Sequence, residues 1–339
     1  MVKVGIIGAL GYTGRELIKY LLSHNGVKIV KLWDKAAASS GEKIESIYPE
    51  FKNILDIKVE PFDSKDLKNT DVVFLALPHT VSVKLAPEII NKVRLLIDLS
   101  ADYRFKDFKV YEKWYGIKHT DKSNLKKAVY GLPEIDRDKI KGAKFIANPG
   151  CFPTSVILGL YPLAKEGLLK DAKVIVDSKT GTSGAGKKAS QSLLFSELNE
   201  NIRPYKLNKH QHMPEIISFF ENFKVKVNLN FIPQVVPLTR GIISMIYVVF
   251  KNKKSGDLYK LYKKYYHKER FIRLCAKGGL PELKNVANSN FCDLGFLDFL
   301  DENTFLAISC IDNLGKGAAS QAVQNMNVAL GLKESEGLL

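Results

Sequence analysis

Val2-Lys3-Val4-Gly5-Ile6-Ile7-Gly8-Ala9-Leu10-Gly11-Tyr12-Thr13-Gly14 stands at the start of the chain. Val2 to Ile7 reads as a continuous apolar strand of the kind that a parallel sheet buries on both faces. A glycine turn follows, then a helix-like run from Arg15 to Ser23 and, after Asn25-Gly26, a second strand from Lys28 to Trp33. Strand, glycine turn, helix and strand fit the length of one βαβ unit, the context in which a glycine motif is credible as a dinucleotide site. The spacing is G-x-x-G-x-x-G rather than G-x-G-x-x-G, but the physics is shared. Backbone without side chains can approach a pyrophosphate, and the helix start at Tyr12 to Arg15 supplies N–H donors. The plain alternative is a glycine turn that only closes the loop.

Beyond the second strand, Asp34 suits a ribose 2′-hydroxyl and so NAD, whereas Lys35, with Ser39 and Ser40, suits the 2′-phosphate of NADP. Two more uninterrupted runs, Asp71 to Pro78 and Val93 to Ser100, continue the parallel, doubly wound pattern. From Ala101 to Gly142 the chain turns polar and aromatic without a clear period, as long loops and short helices would. Ser100 and Arg104 stand just past a strand C-terminus, where open α/β sheets hold ligands, although a solvated arginine is the plain reading of Arg104.

The second half opens at Asn148-Pro149-Gly150-Cys151-Phe152-Pro153-Thr154. Ala143 to Ala147 reads as a short buried strand and Thr154 to Ala164 as a helix opened by Pro153, which puts Cys151 on the turn between them. A thiol there feels the positive end of the helix dipole, which favours the nucleophilic thiolate. A lone cysteine is more often a small core residue. Val174 to Ser178 reads as a strand entering a second glycine loop, Lys179 to Lys187. His210-Gln211-His212 precedes an amphipathic helix ending near Phe223, and two histidines two apart do not share a helix face, which argues against a metal. Asn230 to Val236 and Gly241 to Phe250 resemble antiparallel strands, Ser255 to Lys268 a surface helix, and Phe305 to Ile311 a further strand. The expected architecture is α/β: a Rossmann-like, doubly wound parallel sheet, then an α+β domain with a mixed or antiparallel sheet. The expected boundaries are 1–148, completed by a C-terminal helix over 314–331, and 149–313.

Composition narrows the function classes. The 339 residues, 45% hydrophobic and 26% charged, suffice for two soluble cores. Met1 leads straight into a strand, and no apolar run reaches the ~18 residues that span a bilayer, so the cytoplasm is the expected compartment and no membrane partner is expected. Cys151, Cys275, Cys292 and Cys310 are far apart and suggest neither a disulfide frame nor zinc. The net charge of +15 raises nucleic acid as a partner, but only eight of 51 basic residues are arginine and the lysines are scattered, as on a solvated surface.

Together these motifs resemble N-acetyl-γ-glutamyl-phosphate reductase, of the aspartate-semialdehyde dehydrogenase superfamily. The matching pieces are Gly11 to Gly14, Leu99 to Arg104, Tyr130 to Glu134, Asn148 to Thr154, Ser183 to Gly186, His212 to Ile216, and Lys316 to Ala319 through Gln324 to Asn327, in family order over nearly the whole chain. The resemblance implies attack of Cys151 on an acyl phosphate, a thioester reduced by NADPH, and an acid/base that is His212 or, in reserve, His210. It implies cofactor contacts at Gly8, Gly11, Tyr12, Thr13, Gly14, Lys35, Ser39, Pro78, Ser183, Gly184 and Asn313, with NAD left open by Asp34. Substrate or phosphate contacts fall on Ser100, Arg104, Asn148, Lys179, Glu215 and Arg240. It favours a homodimer or homotetramer acting on a small molecule. A related reductase acting on a substrate held by an acidic carrier protein is the alternative within this chemistry, and a silent nucleotide-binding protein the alternative outside it.

Overall fold

The computed structural model describes residues 1–35, 41–252, 257–297 and 300–339, so Ser39 and Ser40 lie outside it. Its contacts gather the chain into two compact units, Met1–Pro149 with Ala318–Leu339, and Gly150–Gly317. Residues 314–317 thus stand with the second unit rather than in the helix that completes the first.

In the first unit β1 (Val2–Ile7), α1 (Tyr12–Leu22) and β2 (Val27–Trp33) form the opening βαβ. There follow α2 (Ile44–Ile47), β3 (Val59–Glu60), β4 (Val72–Leu75), α3 (Ser82–Ile89), β5 (Leu95–Asp98), α4 (Phe108–Tyr115), α5 (Lys122–Leu125), β6 (Val129–Tyr130), α6 (Pro133–Ile140) and β7 (Phe145–Ala147). Among the described residues the sheet runs β3-β2-β1-β4-β5-β7-β6, and its pairs are parallel. Strand order reverses between β1 and β4, so the ligand crevice of such a sheet falls at their C-terminal ends. Val73, Leu75, Leu96, Phe145 and Trp33 are buried in one apolar cluster, which is why these strands are legible as uninterrupted runs.

The second unit begins with α7 (Cys151–Lys165), then β8 (Lys173–Thr180), α8 (Phe195–Leu198), β9 (Arg203–Pro204), α9 (His212–Glu221), β10 (Asn228–Val235), β11 (Ile242–Val249), α10 (Leu258–Tyr266), β12 (Ile272–Leu274), β13 (Cys292–Leu297) and β14 (Thr304–Ile311). Its sheet is mixed, in the order β12-β13-β14-β11-β8-β10-β9. Strands β10 and β11 are not partners: both flank β8, β10 parallel to it and β11 antiparallel. The helix α7 begins three residues earlier than expected, with Gly150 as N-cap and Cys151 as its first residue. Pro153 is therefore in third place, where its missing N–H is still one of the unpaired donors of a helix start.

Helix α7 is seated closely on the sheet. A Cβ on Gly159 would lie 2.5 Å from Ile246 Cδ1. The buried hydroxyls of Ser178, Ser244 and Ser309 sit in register across β8, β11 and β14, and Ser155 of α7 joins them at 2.9 and 3.0 Å. Pro162 cannot donate to the Leu158 carbonyl one turn back, and the Tyr266 hydroxyl of α10 does so instead at 2.7 Å. The Tyr262 hydroxyl likewise donates to the Gly159 carbonyl.

The last helix, α11 (Ala319–Leu330), begins five residues later than expected because Asp312 holds the preceding segment in a tight turn. Its carboxylate accepts from Leu314 N and Gly315 N at 2.9 and 3.0 Å. Inside the first unit, α11 places Val323 and Met326 in the core. Its amides fasten it to neighbours: Gln324 to Glu134, Asn325 to the Gly131 carbonyl, and Asn327 to His24.

Candidate active site

The glycine turn of the first unit lies at the reversal point of the sheet. Gly8 has φ +90°, and a Cβ there would meet the Ala76 carbonyl at 2.3 Å; on Gly14 it would meet the Gly8 carbonyl at 2.2 Å. These two glycines let the turn close. Gly11 is different: its nearest neighbour would be 3.5 Å away, and as N-cap it brings no side chain to the start of α1, whose first turn is without acidic residues. Tyr12, Thr13 and Gly14 form that first turn. Such a bare helix start fits a pyrophosphate. Leu10 is held from both sides, its N–H donating to Asp34 Oδ2 at 3.0 Å and its carbonyl accepting from the Tyr48 hydroxyl at 2.6 Å. Asp34 is thus already engaged by the turn, while Lys35 beside it is exposed. Pro78 is exposed just past β4, at the same end of the sheet.

In the second unit, Cys151 is half-buried at the N-terminus of α7, where the helix dipole favours an anionic sulfur. Glu215, buried in the first turn of α9, accepts from Gly150 N at 2.9 Å and braces that helix start. The ring of Phe152 meets His210 and His212 edge-on, with centroids 5.4 and 5.9 Å away. His212 N donates to His210 Nδ1 at 3.1 Å, which leaves the proton of a neutral His210 ring on Nε2. Tyr205, Phe152 and Phe231 wall the His210 ring, whereas His212 is half-exposed. Tyr205 was not legible as a site residue; burial and the neighbouring Cys151 push its hydroxyl well above the usual tyrosine range.

Gly317 connects Cys151 to the second glycine loop. A Cβ on it would lie 2.7 Å from Cys151 Cβ and 2.6 Å from the Asn313 carbonyl. Asn313 donates to Ser183 Oγ at 2.9 Å and accepts from Gly241 N at 2.7 Å, and Gly184 lies beside its amide. Arg240 precedes Gly241 and pairs with Asp312 and Asn288. Cys151, Gly317, Asn313, Ser183 and Gly184 therefore form one run of neighbours.

Four of the expected anion or substrate contacts have partners within the fold. Lys179 alternates with Ser178, so it projects from the sheet face opposite α7, where it pairs with Asp177 at 2.6 Å. The Arg104 guanidinium donates to the carbonyls of Asn148 and Leu99, both at 2.7 Å, tying two strand ends together. Ser100 is fully buried and donates to Asp98. The Asn148 side chain bridges Asn325 and the Ala318 carbonyl. The partners of Arg104 and Asn148 escape sequence reading because tertiary packing brings them from far along the chain.

The comparisons with known proteins agree with both halves. Residues 3–143 match the family described as "Semialdehyde dehydrogenase, NAD binding domain", and residues 151–313 match "Semialdehyde dehydrogenase, dimerisation domain". The chain is 45% identical over its full length to N-acetyl-gamma-glutamyl-phosphate reductase of Alkaliphilus metalliredigens, with 98% of that protein covered. The protein of the same name from Methanosphaera stadtmanae is 44% identical, over 99% of this chain and 97% of that one. The chain belongs to the N-acetyl-γ-glutamyl-phosphate reductase family. Solved structures extend the likeness of fold. Aspartate semialdehyde dehydrogenase II of Vibrio cholerae, complexed with ASA, superposes with TM-score 0.72 at 17% identity, covering 97% of this chain and 98% of that one. The aspartate semialdehyde dehydrogenase of Candida albicans, solved with NADP, gives 0.69 at 16% over the same shares. The match to a dimerisation domain falls on the second unit. On the side of its sheet away from α7, Ile243, Met245, Tyr247 and Val249 form a half-buried apolar row.

Proposed function

We propose that this protein reduces N-acetyl-γ-glutamyl phosphate to N-acetyl-glutamate 5-semialdehyde and phosphate, with NADPH as reductant. The observation that carries the reading is Cys151 at the first position of α7 with the His210–His212 pair against the adjoining Phe152, in a chain whose relatives bear that enzyme's name.

The Cys151 thiolate attacks the γ-carbonyl, the C–O bond to phosphate breaks, and an acyl thioester remains on the sulfur. The N-terminal end of α7 stabilises both the thiolate and the oxyanion that forms during attack. Arg240, whose planar fork suits a carboxylate or phosphate, is the candidate cation for the substrate's anionic groups. NADPH, when bound, would supply the hydride that reduces this thioester. His212 is the acid/base: it protonates the oxyanion left by reduction of the thioester and takes that proton back as the C–S bond breaks, releasing the aldehyde and the Cys151 thiolate. His210, with Nδ1 committed to His212 N and its ring walled by aromatics, holds the start of α9 in place for that work. In the first unit, Gly8 to Gly14 would hold the pyrophosphate of a bound dinucleotide; in the second, Ser183, Gly184 and Asn313 are further cofactor candidates. Preference for NADPH rests on exposed Lys35, since Asp34 already accepts from Leu10.

The reaction run backward tests this. With N-acetyl-glutamate 5-semialdehyde and phosphate, the protein is expected to reduce NADP faster than NAD, and Lys35→Ala to narrow that ratio by slowing NADP alone. Absence of phosphate-dependent reduction with this free substrate overturns the proposal, and an unaltered ratio in Lys35→Ala overturns the assignment of preference.

A further inference from the structure

The first unit contains a buried carboxylate that the proposed reaction does not use. Asp102, fully buried, receives Thr80 N on Oδ1 at 2.8 Å and Val83 N on Oδ2 at 2.9 Å, with the Tyr111 hydroxyl also on Oδ1 at 3.0 Å. Its own backbone is fixed as well: Asp102 N donates to Ser100 Oγ, and its carbonyl accepts from His119 Nε2 at 2.8 Å. A second link runs parallel, from Ala101 N to His79 Nδ1 at 3.0 Å. The loop after β4 is therefore stapled to the loop after β5.

Two features show that this staple imposes a conformation. Thr80 has φ +73°, a left-handed backbone that a β-branched residue adopts only under constraint. Val81, the N-cap of α3, has no side-chain acceptor for the first-turn N–H groups, and the Asp102 carboxylate takes that place from another segment. The loop so held is also the one that meets the glycine turn. Ala76 N donates to the Ile7 carbonyl, and the Ala76 carbonyl is what a Cβ on Gly8 would strike. Pro78, His79 and Thr80 thus stand at the crevice of the parallel sheet because Asp102 keeps them there.

We infer that Asp102 is a positioning residue for dinucleotide binding, holding Pro78 to Thr80 in the conformation that accepts the cofactor. This rests on the proposed function. Without the carboxylate, Thr80 relaxes toward ordinary backbone angles and the competent loop becomes a minor population. If that population falls to about a tenth, the apparent Kd rises about tenfold.

The test is NADPH binding by titration calorimetry to the full-length protein and to Asp102→Asn, with KM and kcat alongside. Asp102→Asn is expected to raise Kd and KM for NADPH about tenfold with kcat at saturation nearly unchanged. Thr80→Gly in that background is expected to restore much of the affinity, since glycine takes a positive φ without a side-chain penalty. Tyr111→Phe removes a partner of the same carboxylate but not the loop's bonds, and is expected to leave Kd near the unsubstituted value. Unchanged Kd in Asp102→Asn, no recovery in the double variant, or an equal loss in Tyr111→Phe overturns the positioning role. If the unsubstituted protein itself binds no NADPH, the functional reading falls and this one with it.

Discussion

Asp98 shows how far a single residue can depart from what its letter suggests. It ends β5, is fully buried, and holds Ser100 through both the N–H, at 3.0 Å, and the hydroxyl, at 2.8 Å. Burial, and then the neighbouring Asp102 carboxylate, push its carboxyl up to about 6. An acid whose folded-state value is raised binds its proton more tightly in the folded chain. Its contribution to stability is therefore fully present below the ordinary aspartate value of about 4 and is lost as pH rises through about 6. Urea unfolding across that window is expected to show the stability difference between the unsubstituted protein and Asp98→Asn shrinking as pH rises, then levelling. A difference that grows with pH contradicts the assignment. At this scale the sequence is legible where chemistry is local: the Gly8 to Gly14 turn and Cys151 before a helix carry their context in adjacent residues. Asp102 and Arg104 do not, since Thr80, Val83 and Asn148, which they hold, lie far along the chain.

Helix α7 is the element on which the cysteine depends. Its apolar length and its position after a buried strand are plain in the sequence, but its first turn is not, because Pro153 is equally acceptable at the first or third helical position. Nor does the sequence reveal how Pro162 is tolerated. The answer lies in α10, whose Tyr266 hydroxyl satisfies the Leu158 carbonyl that Pro162 leaves without its usual donor. Tyr266→Phe keeps the ring and removes that bond. It is expected to lower unfolding stability by about 1–3 kcal/mol, the cost of a buried acceptor left unsatisfied. Denaturant unfolding checks this, and a change below about 0.5 kcal/mol would mean that another donor reaches the carbonyl. Short strands were the other illegible elements. Strands β3, β6 and β12 have two or three residues each, too few for a period, and β13 is broken by Asp293 and Gly295.

At the scale of the whole molecule, the chain spends its first 149 residues and its last helix on a parallel sheet with a bare glycine-bounded helix start, and the residues between on a mixed sheet that carries the thiol. The parallel sheet was readable because its buried strands are uninterrupted apolar runs, whereas β11 is as apolar in sequence and shows its alternation only in burial. The return of the chain to its first unit was readable as a helix but not to the residue, since the turn built by Asp312 precedes it. Central to the proposed reaction is one chemical event, transfer of an acyl group to Cys151 before any reduction. The most direct test mixes the protein with N-acetyl-γ-glutamyl phosphate without NADPH and examines the quenched protein by mass spectrometry. The account predicts phosphate release matched by an N-acetylglutamyl adduct on Cys151, discharged when NADPH is added and absent in Cys151→Ala. Turnover by Cys151→Ala, or an adduct on any other residue that NADPH discharges, would contradict it.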